Sequence, residues 1–310
     1  MRIVFMGTPD FGIPSLKKLI ESKHEVVGVV TAPDKPRGRG LFLSESPVKK
    51  FSKEHNLKIL TPENLKSDDF FYSLKELTPD LLVVVAFRIL PERIFSLPPL
   101  GTINLHASLL PKYRGAAPIN WALINGETKT GLTTFFIQKK VDTGDLILQE
   151  EIDILPEEDF GELHDRLANL GADLLLQTVD LIEKGEAKPI KQEDAQATPA
   201  PKISREHCQI DWSKEAIQIK NQIRGLSPTP AAFTLYKGKI LKIFKATVIG
   251  ETLFTSRFGE VAESGGKEKI WIKTKKGILN ILELQPEGKR KMSAEEFVRG
   301  YRIKVGEKLG

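Results

Sequence analysis

The sequence predicts an α/β fold, a doubly wound and mostly parallel sheet followed by a small C-terminal β-barrel. Three observations carry that prediction. The runs RIVFMG (2–7), EVVGVVT (25–31) and DLLVVVAF (80–87) are apolar and of strand length, as strands buried on both faces require. Segments with helical apolar spacing separate them, so strand and helix alternate. Beyond residue 204 the texture changes to short alternating segments broken by Gly turns.

Taken in order, RIVFMG opens the sheet, and the turn GTPDFG (7–12) starts a helix carrying Leu16, Leu19 and Ile20. Strand–turn–helix is how a Rossmann-like sheet begins. The turn is not G-x-G-x-x-G, so it gives little support to a dinucleotide site, and Asp10 can serve as a helix cap instead. The segment 32–50, APDKPRGRGLFLSESPVKK, is too rich in Pro and Gly for a helix and long for a connection. Its Lys35, Arg37 and Arg39 can contact phosphates; the plainer reading is a solvated loop. A helix is expected from Ser46 to Glu54, a short strand at 57–60 and a helix at 69–77. Further on come a helix ending at Gly126 and two strands, 130–138 and 145–154, antiparallel at the sheet edge. A long helix over 159–184 carries a Leu/Val/Ile stripe that is core packing.

Residues 185–204 hold almost no apolar side chain except Ile190 and Ile203, and read as a linker. A helix near 213–224 precedes the alternating segments 233–249, EVA (260–262) and 269–297, with hairpin-like turns at Y-K-G-K and K-K-G. Several short strands in so few residues suggest a barrel of the oligonucleotide-binding type. Its lysines, among them Lys237, Lys239 and Lys242, alternate with apolar residues and make one face basic. The expected division is a first domain over 1–188, a linker over 189–207 and a basic β-barrel over 208–310.

The totals narrow the function. Of 310 residues, 40% are apolar and 28% charged, an ordinary globular balance. No run of 18 uncharged apolar residues exists, so no membrane span is expected. MRIVFMG lacks the parts of a signal peptide, and the one cysteine, Cys208, excludes a disulfide framework and a cysteine zinc site. A cytoplasmic protein is expected. The five His residues show no metal-ligand spacing, and no metal is expected. Residues 206–310 carry 20 Lys/Arg against 12 Asp/Glu, a net of +8, while the rest nets −3. Such asymmetry fits a polyanion partner, the plainer reading being a solvated lysine-rich surface.

The most informative stretch is INLHASLLPKYRGAAP (103–118), a strand running into an irregular loop. Asn104 and His106 sit two apart and share a face at the strand's carboxyl end, where open α/β sheets place ligands. Asp142 lies in KKVDTGD (139–145), a turn after an apolar run. An amide, an imidazole and a carboxylate converging on one crevice make a small catalytic set. On plainer readings Asn-x-His is a polar strand end and Asp142 a turn former.

These residues, in this order, resemble the folate-dependent formyltransferases, and among them the methionyl-tRNA formyltransferases, over essentially the whole chain. The resemblance implies formyl transfer from 10-formyltetrahydrofolate to the α-amino group of initiator methionyl-tRNA, with Asn104, His106 and Asp142 catalytic. It implies folate contacts at Phe87, Arg88, Ile89 and Leu90, and at Ser108, Leu109, Leu110 and Pro111. The family usually carries a Gly-containing, one-residue-longer loop where this chain has Phe87-Arg88. The loop 32–50 resembles the insertion that grips the tRNA acceptor end, with Arg39 as the matching basic residue. The C-terminal domain would hold the tRNA body. A monomer is expected, since that surface must stay open.

Formyl transfer needs a donor for the developing oxyanion and an acceptor for the amine's proton. Asn104 can donate and never titrates, which suits the oxyanion. His106 can pass a proton to the leaving folate nitrogen; Asp142 can hold it charged or take the amine's proton. The residues leave open which group is the base. The alternative acceptor is an amino-sugar nucleotide, whose formyltransferases share a similar SLLPKYRG loop; APDKPRGRG and the basic tail argue against it. A glycinamide ribonucleotide transformylase needs only the first 200 residues or so. A nucleic-acid-binding module with an inactive first half would not need Asn104, His106 and Asp142 together.

Overall fold

The computed structural model describes residues 1–37, 42–264 and 269–310. The elements are β1 (Arg2–Gly7), α1 (Ile13–Ile20), β2 (Glu25–Val30), β3 (Lys35–Arg37), β4 (Phe42–Ser44), α2 (Pro47–Glu54), β5 (Ile59–Leu60), α3 (Asp68–Lys75), β6 (Leu81–Val85), α4 (Glu92–Phe95) and β7 (Thr102–His106). They continue through β8 (Arg114–Gly115), α5 (Pro118–Ile124), β9 (Lys129–Phe136), β10 (Leu146–Asp153), α6 (Phe160–Glu183) and β11 (Pro199–Ala200). Among the described residues no helix is long and apolar enough to cross a membrane.

The chain divides into two compact units. One comprises 1–116, 129–152 and 164–200; the other comprises 117–128, 153–163 and 201–310. The division cuts across the expected linker: residues 189–200 belong to the first unit.

The first unit is built on a seven-stranded sheet of order β10-β9-β7-β6-β1-β2-β5. β1 pairs in parallel with β2 and β6, β2 with β5, and β6 with β7; β7 is antiparallel to β9. The chain runs outward from β1 to β5, then returns to β6 on the other side of β1. That reversal opens the crevice where such sheets bind ligands. Gly7 ends β1 there. A Cβ on it would lie 2.7 Å from the Phe5 ring and 3.0 Å from the Val85 carbonyl oxygen, so the two strand ends approach only with glycine. Val4, Met6, Leu82 and Val84 pack with Phe70 and Leu74 of α3 and Ile94 of α4. Leu105 meets α6 at Gly171, where a Cβ would come within 2.8 Å of its Cδ2. Helices thus cover both faces, and each buried large apolar side chain stabilises by about 1.5–3 kcal/mol.

Two local expectations change. Asp10 does not cap α1; its Oδ1 accepts from Phe11 N at 3.1 Å, and Gly12 occupies the cap position without a side-chain bond. The segment 32–50 is not wholly irregular, since β3 and β4 pair antiparallel with Lys35 opposite Ser44.

The second unit adds α7 (Arg205–Cys208), α8 (Ala216–Leu226), β12 (Ala232–Tyr236), β13 (Lys239–Leu253), β14 (Val261–Ser264), β15 (Ile270–Lys273), β16 (Lys276–Pro286), β17 (Met292–Ser293) and α9 (Ala294–Tyr301). Its antiparallel sheet runs β12-β13-β16-β15-β14, with β17 on β16. The last residues bridge the two sheet edges. Val261 N donates to Glu307 O at 2.8 Å, Leu309 N to Gly259 O at 2.9 Å and Gly310 N to Leu235 O at 2.8 Å. Trp212, Ile219, Ile243, Ile281 and Phe297 fill the interior. Lys237 and Gly238 have φ of 51° and 76°, the two positive values that a tight Y-K-G-K hairpin turn requires. Residues 294–301 form a helix rather than a continuation of the strands, because Ser293 and Glu296 make a capping box.

Candidate active site

β7 carries Asn104 and His106 on one face, paired in register with Val84 of β6 and with Phe135 and Thr133 of β9. The Asn104 amide is half-buried and makes no hydrogen bond among the described residues. It is free to donate to an incoming group. His106 is buried, and its Nε2 lies 2.9 Å from the Tyr113 carbonyl oxygen. A carbonyl only accepts, so Nε2 carries a hydrogen in either charge state. The ring's other nitrogen, Nδ1, is therefore the one that can exchange a proton. It faces Asp142 Oδ2 at 3.9 Å, beyond a hydrogen bond but within ion-pair range. The same Oδ2 accepts from Gly115 N at 2.9 Å. Asp142 has φ of 53°, in the left-handed region that Asp tolerates. A Cβ on Gly144 would sit 1.6 Å from the Phe136 carbonyl oxygen, which fixes glycine in the D-T-G turn.

The loop that delivers Tyr113 and Gly115 is held by polar side chains. Ser108 Oγ donates to Lys112 O at 2.7 Å, and Thr133 Oγ1 donates to Ser108 O at 2.6 Å. Gln149 Nε2 donates to Leu110 O at 2.7 Å, and Tyr113 N donates to Thr198 Oγ1 at 2.8 Å. β8 and β11 pair in parallel, and a Cβ on Gly115 would meet the Ala200 carbonyl oxygen at 2.6 Å. Arg114 reaches Gln192 Oε1 with Nε at 3.1 Å and Nη2 at 2.7 Å. It also pairs with Asp194 at 2.8 Å, and Arg114 holds that carboxyl below its ordinary value. Residues 192–200 of the expected linker are therefore part of the candidate site's scaffold. The linker's lack of apolar residues hid this, because its contacts are amide, hydroxyl and backbone bonds.

The residues expected to contact folate occupy two loops. In the first, Leu90 is buried and Ile89 is 75% exposed. Arg88 does not project freely: Nη2 and Nη1 donate to Pro62 O at 2.7 Å and Glu63 O at 3.1 Å, and its guanidinium lies 5.2 Å from the Phe87 ring centre. Burial lowers the Arg88 pKa, and its buried Nε has no partner among the described residues. In the second, Ser108 and Leu110 are buried while Leu109 and Pro111 are half-buried. Ser108 is fully buried, its hydroxyl donating within the loop and its carbonyl accepting from Thr133.

Of the expected tRNA-binding residues, Arg39 lies outside the described residues and Arg37 is described by its backbone alone; Lys35 and Lys239 are exposed. Lys237 pairs with Glu307 at 3.2 Å, and Lys242 Nζ donates to Pro230 O at 3.2 Å. Tyr236 first and Glu307 second raise the Lys237 pKa. Among the described residues, metal-ligand spacing occurs at His24, Asp180 and Glu183. There Lys23 already pairs with the carboxylates at 3.2 and 2.6 Å.

Comparison with known proteins adds to this geometry. Residues 1–179 match the family model "Formyl transferase", and 202–302 match "Formyl transferase, C-terminal domain". A methionyl-tRNA formyltransferase of Caldanaerobacter subterraneus subsp. tengcongensis is 50% identical over 308 residues, covering 99% of both chains. That of Geobacter sulfurreducens is 45% identical, covering 100% of this chain and 97% of its own. Among solved structures, the methionyl-tRNA formyltransferase from Clostridium thermocellum has a TM-score of 0.56 at 20% identity, covering 80% of this chain and 93% of its own. A sugar 3N-formyl transferase, WlaRD, has a TM-score of 0.66 at 19% identity, covering 94% and 99%. At these identities the structures show a shared fold alone.

Proposed function

The chain belongs to the formyl transferase family, and from that premise we propose that it transfers the formyl group of 10-formyltetrahydrofolate to the α-amino group of methionyl-initiator tRNA. The observation that carries this reading is the end of β7. There an unpartnered Asn104 amide stands two residues from an imidazole whose only exchangeable position faces a carboxylate. Relatives named for this reaction match the chain from end to end, which supports the acceptor.

The neutral amine attacks the formyl carbon and forms the new C–N bond. Collapse of the tetrahedral intermediate breaks the bond from that carbon to folate N10. One proton leaves the amine and one reaches N10, so the reaction balances without a metal or redox partner. Asn104 donates to the oxyanion, worth about 3–4 kcal/mol for one preorganised donor. His106 Nδ1, with Asp142 beside it, carries the proton between the two nitrogens. The loops at 87–90 and 108–111 hold the folate. Lys35, Arg37 and Arg39 grip the acceptor end, and Lys237, Lys239 and Lys242 meet the tRNA body. The protein acts as a cytoplasmic monomer.

The test is acceptor choice. Purified protein is mixed with 10-formyltetrahydrofolate and, separately, charged initiator tRNA, charged elongator tRNA and an amino-sugar nucleotide, and each product is weighed. Formylmethionine from the initiator alone is the expected result. A formylated sugar beside inert tRNA would overturn the acceptor and keep the chemistry.

A further inference from the structure

The reading above rests on Asn104, His106 and Asp142, yet what fixes Asp142 relative to His106 lies fifty residues further on. Gln192 is 6% exposed, and every hydrogen-bonding position of its amide is used. Nε2 donates to Asp142 O at 3.0 Å and to Gly144 O at 2.8 Å. Oε1 accepts both bonds from Arg114. One side of the amide thus holds the turn that presents the Asp142 carboxylate. The other holds the loop whose Tyr113 carbonyl orients His106 and whose Gly115 N–H anchors Asp142.

We propose that Gln192 is a positioning residue for formyl transfer, an amide staple that joins the two loops and sets the 3.9 Å separation of His106 Nδ1 from Asp142 Oδ2. An amide suits the task because it presents donors to two carbonyls and an acceptor to a guanidinium at once. A carboxylate at this position satisfies Arg114 but turns an oxygen towards two carbonyl oxygens. The catalytic constellation therefore depends on residues 192–200, which lie between the two matched family regions. Proton transfer is sensitive to displacement of this kind: a misplacement of about 1 Å costs on the order of a hundredfold in rate.

The proposal rests on the formyl-transfer reading, so wild-type turnover is measured first; its absence would overturn that reading rather than the staple. With wild type active, Gln192→Glu separates the two halves of the amide. A residue needed only as a partner for Arg114 would tolerate Glu. The staple predicts a folded protein with a lowered melting temperature, a kcat at least about tenfold lower, and KM values for folate and tRNA within about twofold. Asp194→Ala removes the other partner of Arg114, does not touch the 142–144 turn, and is expected to keep kcat within about twofold. Wild-type kcat in folded Gln192→Glu would overturn the proposal. If that variant does not fold, Gln192→Met keeps the volume without the amide and is held to the same criterion. Failure of both to fold would also overturn it, because Gln192 would then be holding the fold rather than the reaction geometry.

Discussion

A backbone carbonyl holds one ring nitrogen of His106 and leaves Nδ1 facing Asp142. That is a residue-scale fact with a residue-scale consequence. Asn104→Ala removes the proposed oxyanion donor, and His106→Ala removes the proposed proton carrier. Each is expected to slow transfer at least about a hundredfold while the melting temperature stays close to wild type. Gly144→Ala is a different test. Its Cβ would land 1.6 Å from a backbone oxygen, so a loss of about 3 kcal/mol or more is expected in a denaturant titration. An unchanged midpoint would mean the turn is packed otherwise. Asn104, His106 and Asp142 stood out as candidates in the sequence through residue type and spacing, and the structure sets His106 Nδ1 3.9 Å from Asp142 Oδ2. Tyr113 O and Gly115 N did not stand out, since any residue supplies a carbonyl and nearly any an N–H. Gln192 was hidden by a segment whose polarity reads as solvated chain.

At the scale of elements, strands and helices followed their apolar periodicity closely, and the exceptions have physical causes. S-A-E-E at 293–296 is a capping-box signature, and it turned an apparent continuation of strands into α9. The stretch before α2 is rich in Pro and Gly, yet β3 pairs with β4, which periodicity over three residues cannot announce. The end of α6 offers a pH test. Lys23 first, and the Met1 amino group next, hold the Glu183 carboxyl at about 2 against an ordinary 4.5. A depressed carboxyl stabilises fully above its unfolded value and loses that contribution as pH falls through its folded one. Glu183→Gln should therefore melt below wild type at neutral pH. The gap should close between pH 4.5 and about 2, the window set by those two values. A gap that persisted at pH 2 would show that the ion pairs are not its source.

At the scale of the whole molecule, the basic C-terminal third was visible as composition, but composition could not say which charges are spent. Lys273 pairs with Glu260 at 2.5 Å and Lys276 with Glu251 at 3.5 Å. Lys239, Lys245 and Lys275 are exposed and have no carboxylate partner among the described residues. Replacing these three with alanine should reduce the slope of log affinity for tRNA against log salt by about 2, from the release of counterions at each phosphate contact. An unchanged slope would place the tRNA elsewhere. The tail at 306–310, which bridges the sheet edges, was not legible either, since its bonds are made by the backbone. Single-turnover transfer to charged initiator tRNA by His106→Ala beside wild type tests most directly whether the end of β7 performs formyl transfer. A folded variant at least about a hundredfold slower is the predicted result, and a folded variant transferring formyl at the wild-type rate would contradict it.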